Sequence, residues 1–354
     1  MIPRYAFDVI GELYLEEMFG FLQKNHDHGG WIHSLDLLLR LLCLCAVAPA
    51  SARPLILASS LFVPGSFKAL KAVEHMGISA RRYVARRFDE GARLESRQRT
   101  DMLQQLYDVH LEKGDKVDFH MDDIEQETYV GLSSAHLYGS LHNVVSLGTD
   151  RMDTALFAGS DTTAIAFRLL FCHLIKNPDV YEELQDEIDH GFSSGQLKSP
   201  VEFSEAIKLD LLSACIKEAL RVHPGVQLTM GRVVPTEGLE LCGSFIPGGC
   251  WVGMNPAVVH FDKSIFGQAA DEFRPARWLG TDAAVMDRHM LAFGYGSRTC
   301  IGKNISLAEL HKLTPEVLRC FELELADKNS TWKTRNLWFC KQENVVVGLK
   351  KRNV

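Results

Sequence analysis

Apolar residues recur at i, i+3, i+4 spacing over residues 2–20, 31–48, 66–88 and 93–113. This is the period at which side chains line one face of an α-helix. Glycine-rich breaks such as HDHGG (26–30) and FVPGS (62–66) separate these stretches and stop each helix before the next. The helical period returns over 154–176, then from Asn177–Pro178 through about His190, and again over 209–224, where Pro224 ends it. From Gly231 the character changes: GRVVPTEGLELCGSFIPGGCWVGMNP (231–256) holds short β-prone pieces divided by Gly and Pro, which predicts small antiparallel strands. Residues 304–321 return to helix, and about thirty residues at the end, NVVVGLK among them, read as short strands. The expected fold class is mainly α with small antiparallel β-sheets.

A chain of 354 residues with 46% hydrophobic and 23% charged residues has enough apolar material for an extended core. Its net charge of −7 and the lack of a long Lys/Arg run argue against a nucleic-acid partner. Arg81, Arg82, Arg86 and Arg87 have the spacing of a solvated helix face. The nine cysteines contain no CxxC pair and the fourteen histidines no HExxH, so neither a zinc site nor a disulfide framework is written here, and a reducing compartment is expected. The start of the chain does not read as a secretory signal. The most apolar run, LDLLLRLLCLCAVAPA from Leu35, is short and interrupted by Arg40, and reads as a buried or interfacial helix.

Three strings carry chemistry. In LAFGYGSRTCIGKNIS (291–306), Cys300 follows a loop with glycines at 294 and 296 and precedes Gly302 and a helix. Backbone N–H groups and the helix dipole aimed at the sulfur favour its thiolate, and Arg298 adds a cation able to hold an acidic group of a ligand. Taken alone, a cysteine in a glycine loop is more often structural. In KEALR, Glu218 and Arg221 share a helix face and, taken alone, read first as a surface ion pair. In LFAGSDTTAIAF (156–167), the apolar ends promise a buried helix while Gly159 to Thr163 weaken its middle. Asp and Thr there also fit a helix N-cap.

Together these strings resemble the cytochrome P450 superfamily. FGYGSRTCIG matches the haem-binding signature FxxGxRxCxG, and LFAGSDTTA is similar to the oxygen-binding helix AGx(D/E)TT. KEALR is similar to the ExxR motif, and ADEFRPARWLG (270–280) to the PERF/PERW segment. The resemblance implies a P450 fold in which Cys300 is the axial ligand, and so the metal ligand, of the iron of haem b. It also implies that Arg298 pairs with a haem propionate, that Phe293 packs on the porphyrin near the sulfur, and that Gly302 belongs to the cofactor-binding loop. Ala158 and Gly159 would keep the oxygen-binding helix close to the porphyrin, and Asp161 and Thr162 would relay protons. Glu218, Arg221 and Arg277 would form a structural network behind the haem. GVQLTMGRVVP (225–235) resembles a pocket-lining segment, which makes Val226 and Leu228 substrate contacts, although both fit a core strand equally well, and Arg232 a second propionate partner.

The ending WKTRNLWFCKQENVVVGL, with GKNISLAELHK, is most similar to fungal microsomal members near the pisatin demethylase and benzoate hydroxylase groups. What the resemblance implies is a monooxygenase of fungal secondary or xenobiotic metabolism that inserts one oxygen atom from O2 into a small apolar organic substrate. NADPH would supply electrons through NADPH–cytochrome P450 reductase, docked near Lys303 and Lys312, at the endoplasmic reticulum membrane. Two departures set a competing expectation, a truncated inactive relative that binds haem weakly or not at all. The family's usual membrane anchor, first helices, part of its larger sheet and its WxxxR element have no counterpart, so residues 1–354 read as a single domain incomplete at the N-terminus. Residues 129–153, with three glycines and little charge, also separate MDDIEQET from TALFAGSDTTA and read as an inserted segment, such as translated intron.

Overall fold

The computed structural model describes residues 2–15, 18–27, 30–59, 62–69, scattered positions between 71 and 112, 155–327, 332–337 and 339–353. The chain divides into two compact units, Met1–Ala164 and Ile165–Val354.

The first unit contains α1 (Ile2–Leu15), α2 (Trp31–Val47), α3 (Arg53–Ser59) and the beginning of α4 (Ala155–Lys176). The chain is no longer helical at Met18, short of the expected end near residue 20. The reason is tertiary. The buried Asp8 carboxylate accepts the backbone N–H groups of Phe21 and Leu22 at 3.1 and 2.8 Å, which turns the chain back so that Phe21 meets Phe7 at a ring separation of 5.2 Å. The expected break at FVPGS is present, with helix resuming at Ser66. The described positions within 66–88 and 93–113 are helical from Ser66 and from Met102 onward. Arg82 is exposed, as a solvated face requires, whereas Arg81, Arg86 and Arg87 lie outside the described residues. The segment 129–153 also lies outside them.

In the second unit α4 is followed by α5 (Pro178–Ser193), α6 (Phe203–Ala206) and α7 (Asp210–Val222). Pro178 occupies the first turn of α5, where its missing N–H costs nothing. The buried faces of α4 (Leu169, Leu170, Leu174) and α7 (Leu212, Cys215, Ile216) carry the helical period seen in the sequence. Next come four short strands, β1 (Arg232–Val233), β2 (Leu239–Leu241), β3 (Ser244–Ile246) and β4 (Trp251–Val252), paired antiparallel as β1 with β4 and β2 with β3. Short helices α8 (Pro256–Val259), α9 (Lys263–Phe266) and α10 (Ala283–Asp287) flank a 3₁₀ turn at Pro275–Leu279. The long α11 (Lys303–Cys320) packs on α5, α6 and α7. It leads into β5 (Phe321–Leu325), β6 (Lys333–Leu337), β7 (Phe339–Glu343) and β8 (Val347–Lys351), which pair antiparallel as β5 with β8 and β6 with β7.

Helix α7 receives its N-terminal cap from another helix. The Glu187 carboxylate of α5 accepts the N–H groups of Leu211 and Leu212, both at 2.9 Å, and so satisfies donors that no helix can satisfy internally. Burial nonetheless raises the Glu187 carboxyl above its ordinary value, because desolvation outweighs the two bonds. Glu187→Ala is therefore expected to destabilise the fold by about 1–2 kcal/mol, the usual worth of a lost cap, read as a lowered midpoint in urea unfolding. An unchanged midpoint would show that water replaces the cap without cost.

Candidate functional site

The most tightly organised polar cluster centres on Glu218, whose side chain is fully buried on α7. Its carboxylate accepts five donors: Arg221 Nε and Nη2 at 2.8 and 2.9 Å, Arg277 Nε, the Arg274 backbone N–H and Trp278 Nε1, each at 2.8 Å. Arg221 is equally enclosed. Its remaining N–H groups go to the carbonyls of His260, Ala270 and Glu272 at 2.7, 2.6 and 2.9 Å. Arg277 donates to the carbonyls of Phe266 and Ala269 as well. The structure thus brings together Glu218, Arg221 and Arg277, and the surface-pair reading of KEALR gives way: a pair with no exposure must have every donor and acceptor matched. Sequence reasoning missed Trp278 and Arg274, although both lie in the string that pointed to Arg277. Trp278 also packs with Phe266, Ala270, Met286 and Ala214, so one side chain joins the polar cluster to its apolar surround.

Beyond this cluster lies the loop of Cys300. Gly294 and Gly296 have φ of 71° and 68°, the left-handed region that glycine enters without strain. Cys300 N–H donates to the Phe293 carbonyl at 2.8 Å, and Gly294 N–H to the Leu291 carbonyl at 2.9 Å, so the loop closes on itself. It presents Cys300 at the surface three residues before the start of α11, with Tyr295 72% and Ile301 84% exposed beside it. A Cβ on Gly302 would lie 3.9 Å from the Cys300 sulfur, and one on Gly294 would lie 3.4 Å from the Arg298 carbonyl and 3.8 Å from Met230 Sδ. The loop therefore adjoins the 225–235 segment.

The other expected site residues divide. Arg298 is exposed and holds no acidic side chain among the described residues, while Phe293 is half-buried with Lys303 Nζ 5.9 Å from its ring centre. The Arg232 guanidinium donates to the nearby carbonyls of Met230 and Gly231. Val226 forms an antiparallel bridge with Phe339, the strand-like role its sequence also allowed, and Leu228 is half-buried. Helix α4 runs without a break through Gly159 to Thr163, so the weakened sequence does not interrupt the helix. There Thr162 is half-buried and Thr163 only 2% exposed. The side chains of Ala158, Gly159 and Asp161 lie outside the described residues.

Sequence reasoning also missed three enclosed titratable groups, the buried His260 and Glu309 and the half-buried His173. Burial pushes His260 and His173 down to about 4, with the charges of Arg221 (on His260) and of His223 and Lys176 (on His173) acting in the same direction. On α11, Glu309 is 6% exposed, one of its carboxyl oxygens has no hydrogen-bond partner, and burial pushes it up to about 8.

The model of the cytochrome P450 family matches residues 149–348. The chain is 38% identical over 351 residues to the cytochrome P450 monooxygenase gsfF of Penicillium aethiopicum, covering 99% of this chain and 65% of that protein. It is 37% identical over 358 residues to the cytochrome P450 monooxygenase ACRTS1 of Alternaria alternata, covering 99% and 87%. A pisatin demethylase of Fusarium vanettenii is 34% identical over 340 residues, covering 96% of this chain and 59% of the relative. The chain thus spans less than two thirds of the length of two of these three curated relatives.

The buried groups set a pH dependence. Between about pH 6.5 and 4 the unfolded chain protonates His260 and His173 while the fold does not, so stability falls with pH by about 3 kcal/mol per histidine across the window. Glu309 acts in the opposite sense: the fold keeps its proton up to about pH 8, whereas the unfolded chain has already released it. In the acid window the two histidines, joined by His223 and His311, which burial also lowers, outweigh it; above about 6.5 the Glu309 effect prevails. Urea-unfolding midpoints should peak near neutrality and fall on both sides, and Glu309→Gln should remove the alkaline decline. A midpoint that keeps falling between pH 7 and 8 in that variant would contradict the assignment.

Proposed function

The chain belongs to the cytochrome P450 family, and from that premise we propose that it is a haem-thiolate monooxygenase that inserts one oxygen atom of O2 into a small apolar organic substrate. The observation that carries the reading is the surface presentation of Cys300 by a closed glycine loop at the head of α11. Haem b fits these residues. A flat macrocycle needs open space beside the sulfur, which the bare Gly302 leaves, apolar neighbours, which Tyr295 and Ile301 offer, and an uncommitted cation for a propionate, which Arg298 is.

When bound, the haem supplies dioxygen activation and oxygen transfer, chemistry no side chain provides. The protein's own part is to bind and orient. Cys300 would hold the iron as thiolate, the ligation that favours O–O cleavage. Arg298 would hold one propionate, Phe293 would pack beside the sulfur, and Arg232, which donates to the Met230 and Gly231 carbonyls, would serve the second propionate. Glu218, Arg221 and Arg277 act on no substrate; they fix the segments behind the loop. For Ala158, Gly159, Asp161 and Thr162 the support is the AGSDTT motif, which assigns close approach to the first two and holding and passing a proton to the acid and the hydroxyl. Val226 and Leu228 offer aliphatic surface to the substrate.

Electrons come from NADPH through its P450 reductase, docking where Lys303 and Lys312 are exposed. The fungal sources of the relatives support a role in fungal secondary metabolism. Among the described residues no helix is long and apolar enough to cross a membrane, so placement at the endoplasmic reticulum rests on the family alone.

The test is spectroscopic. The haem-loaded chain, reduced and treated with carbon monoxide, is expected to give the long-wavelength Soret band of thiolate ligation, and Cys300→Ala to lose it while keeping its far-ultraviolet circular dichroism. NADPH-dependent oxidation of an apolar substrate with reductase then separates a monooxygenase from a haem carrier. Failure of the wild-type chain to take up haem would defeat the proposal.

A further inference from the structure

His260, which belongs to none of the motifs above, follows α8 and has no exposed surface. Its ring lies between two backbone groups. Leu291 N–H reaches Nε2 at 2.8 Å, and Nδ1 lies 2.9 Å from the Arg221 carbonyl. A backbone N–H can only donate, so Nε2 carries no proton and Nδ1 must carry the one it gives to Arg221. The tautomer is therefore set by the two partners. Arg221 is in the last turn of α7, where carbonyls have no intrahelical partner, and it returns the contact by donating Nη1–H to the His260 carbonyl at 2.7 Å.

Leu291 is the first residue of the loop that ends in Cys300. Its carbonyl accepts Gly294 N–H, Gly294 makes the left-handed turn, and Phe293 then receives Cys300 N–H. Hydrogen bonds thus run from the Glu218 carboxylate through Arg221 and the His260 ring to Leu291 and on to Gly294, whose peptide bond to Phe293 joins them to the last one, from Cys300 N–H.

We propose that His260 is a positioning residue that ties the loop of Cys300 to the Glu218–Arg221 cluster, so that the sulfur is held where it ligates haem iron. For its spectral readout the inference rests on the haem-thiolate reading; for its structural readout it does not. His260 touches neither substrate nor cofactor, and its effect passes through the Leu291 amide. Removing the acceptor leaves a buried N–H unsatisfied at the base of the loop, a cost that the loop relieves by shifting.

Two substitutions separate tethering from simple filling of space. His260→Phe keeps a ring beside Phe266, whose centre lies 6.1 Å from that of His260, but has no nitrogen. His260→Gln loses the ring but places an amide oxygen within reach of Leu291 N–H. Tethering predicts that in the Phe variant the Leu291 amide exchanges with solvent about tenfold faster, as for one lost buried hydrogen bond. The long-wavelength carbonyl band should also give way to the short-wavelength one of lost thiolate ligation. The Gln variant should stay close to wild type in both. A folded Phe variant with wild-type exchange and band overturns the proposal, as does a Gln variant that loses both as fully as Phe. If circular dichroism shows the Phe variant unfolded, the Gln variant decides, retention supporting the tether and loss overturning it. Should wild type itself lack the thiolate band, the haem reading fails and Leu291 exchange alone decides the tether.

Discussion

A fully buried carboxylate dictates much of the second unit. Glu218 cannot give up water without an equal set of donors, and the five it receives come from α7 itself and from residues 274–278. The chain from His260 onward is therefore committed to fold back onto α7, and Arg221 and Arg277 spend their other N–H groups on the carbonyls of that returning segment. The surround is apolar: Phe266, Ala270, Trp278 and Met286 close over the cluster. Exclusion of water strengthens each of these bonds and makes each one costly to lose.

Where local period decides structure, the sequence was legible. Helices α2, α4, α5, α7 and α11 lie within three residues of their expected limits, because each has an apolar stripe long enough to mark it and a Pro, Gly or capping step to end it. The small strands between residues 231 and 256 were legible through their Gly and Pro punctuation. Pairing was not. β5 joins β8 across the whole β6–β7 hairpin, and nothing in FELEL or VGLKK names the other. The early end of α1 was hidden for a similar reason, since Asp8 acts on residues thirteen and fourteen positions away.

The site divides in the same way. Glu218, Arg221 and Arg277, which the structure brings together, could be named beforehand, and Cys300 proposed, because the resemblance lies in side-chain identity at fixed spacing. Trp278 and Arg274 were missed because a neighbour of a motif residue has no signature of its own, and Arg274 acts through its backbone. His260 was invisible for a deeper reason: both its partners are main-chain groups, at Arg221 and Leu291, which any residue type would supply equally. A contact between a side chain and two backbones leaves a trace in one letter only. The substrate-facing assignment of Val226 had to compete with an ordinary strand contact, and its bridge to Phe339 shows the backbone there already engaged.

A buried ion cluster is a poor device for stability alone, since well-packed apolar residues of the same volume often do as well or better. Its advantage is direction. Apolar contacts fix how much volume is filled, whereas Arg221 and Glu218 satisfy one another only at particular angles, and the carbonyls of His260, Ala270 and Glu272 must then occupy particular places. The loop beyond needs such a frame because it can contribute little of its own. Gly294 and Gly296 are its most permissive residues, and Tyr295, Ile301 and Cys300 project outward rather than packing inward. If Cys300 is the ligand we propose, its sulfur must be exposed to meet a metal, so that side chain is one that burial cannot fix. Its position has to be inherited from backbone that is fixed, and the closed cluster at Glu218 is where that fixing begins.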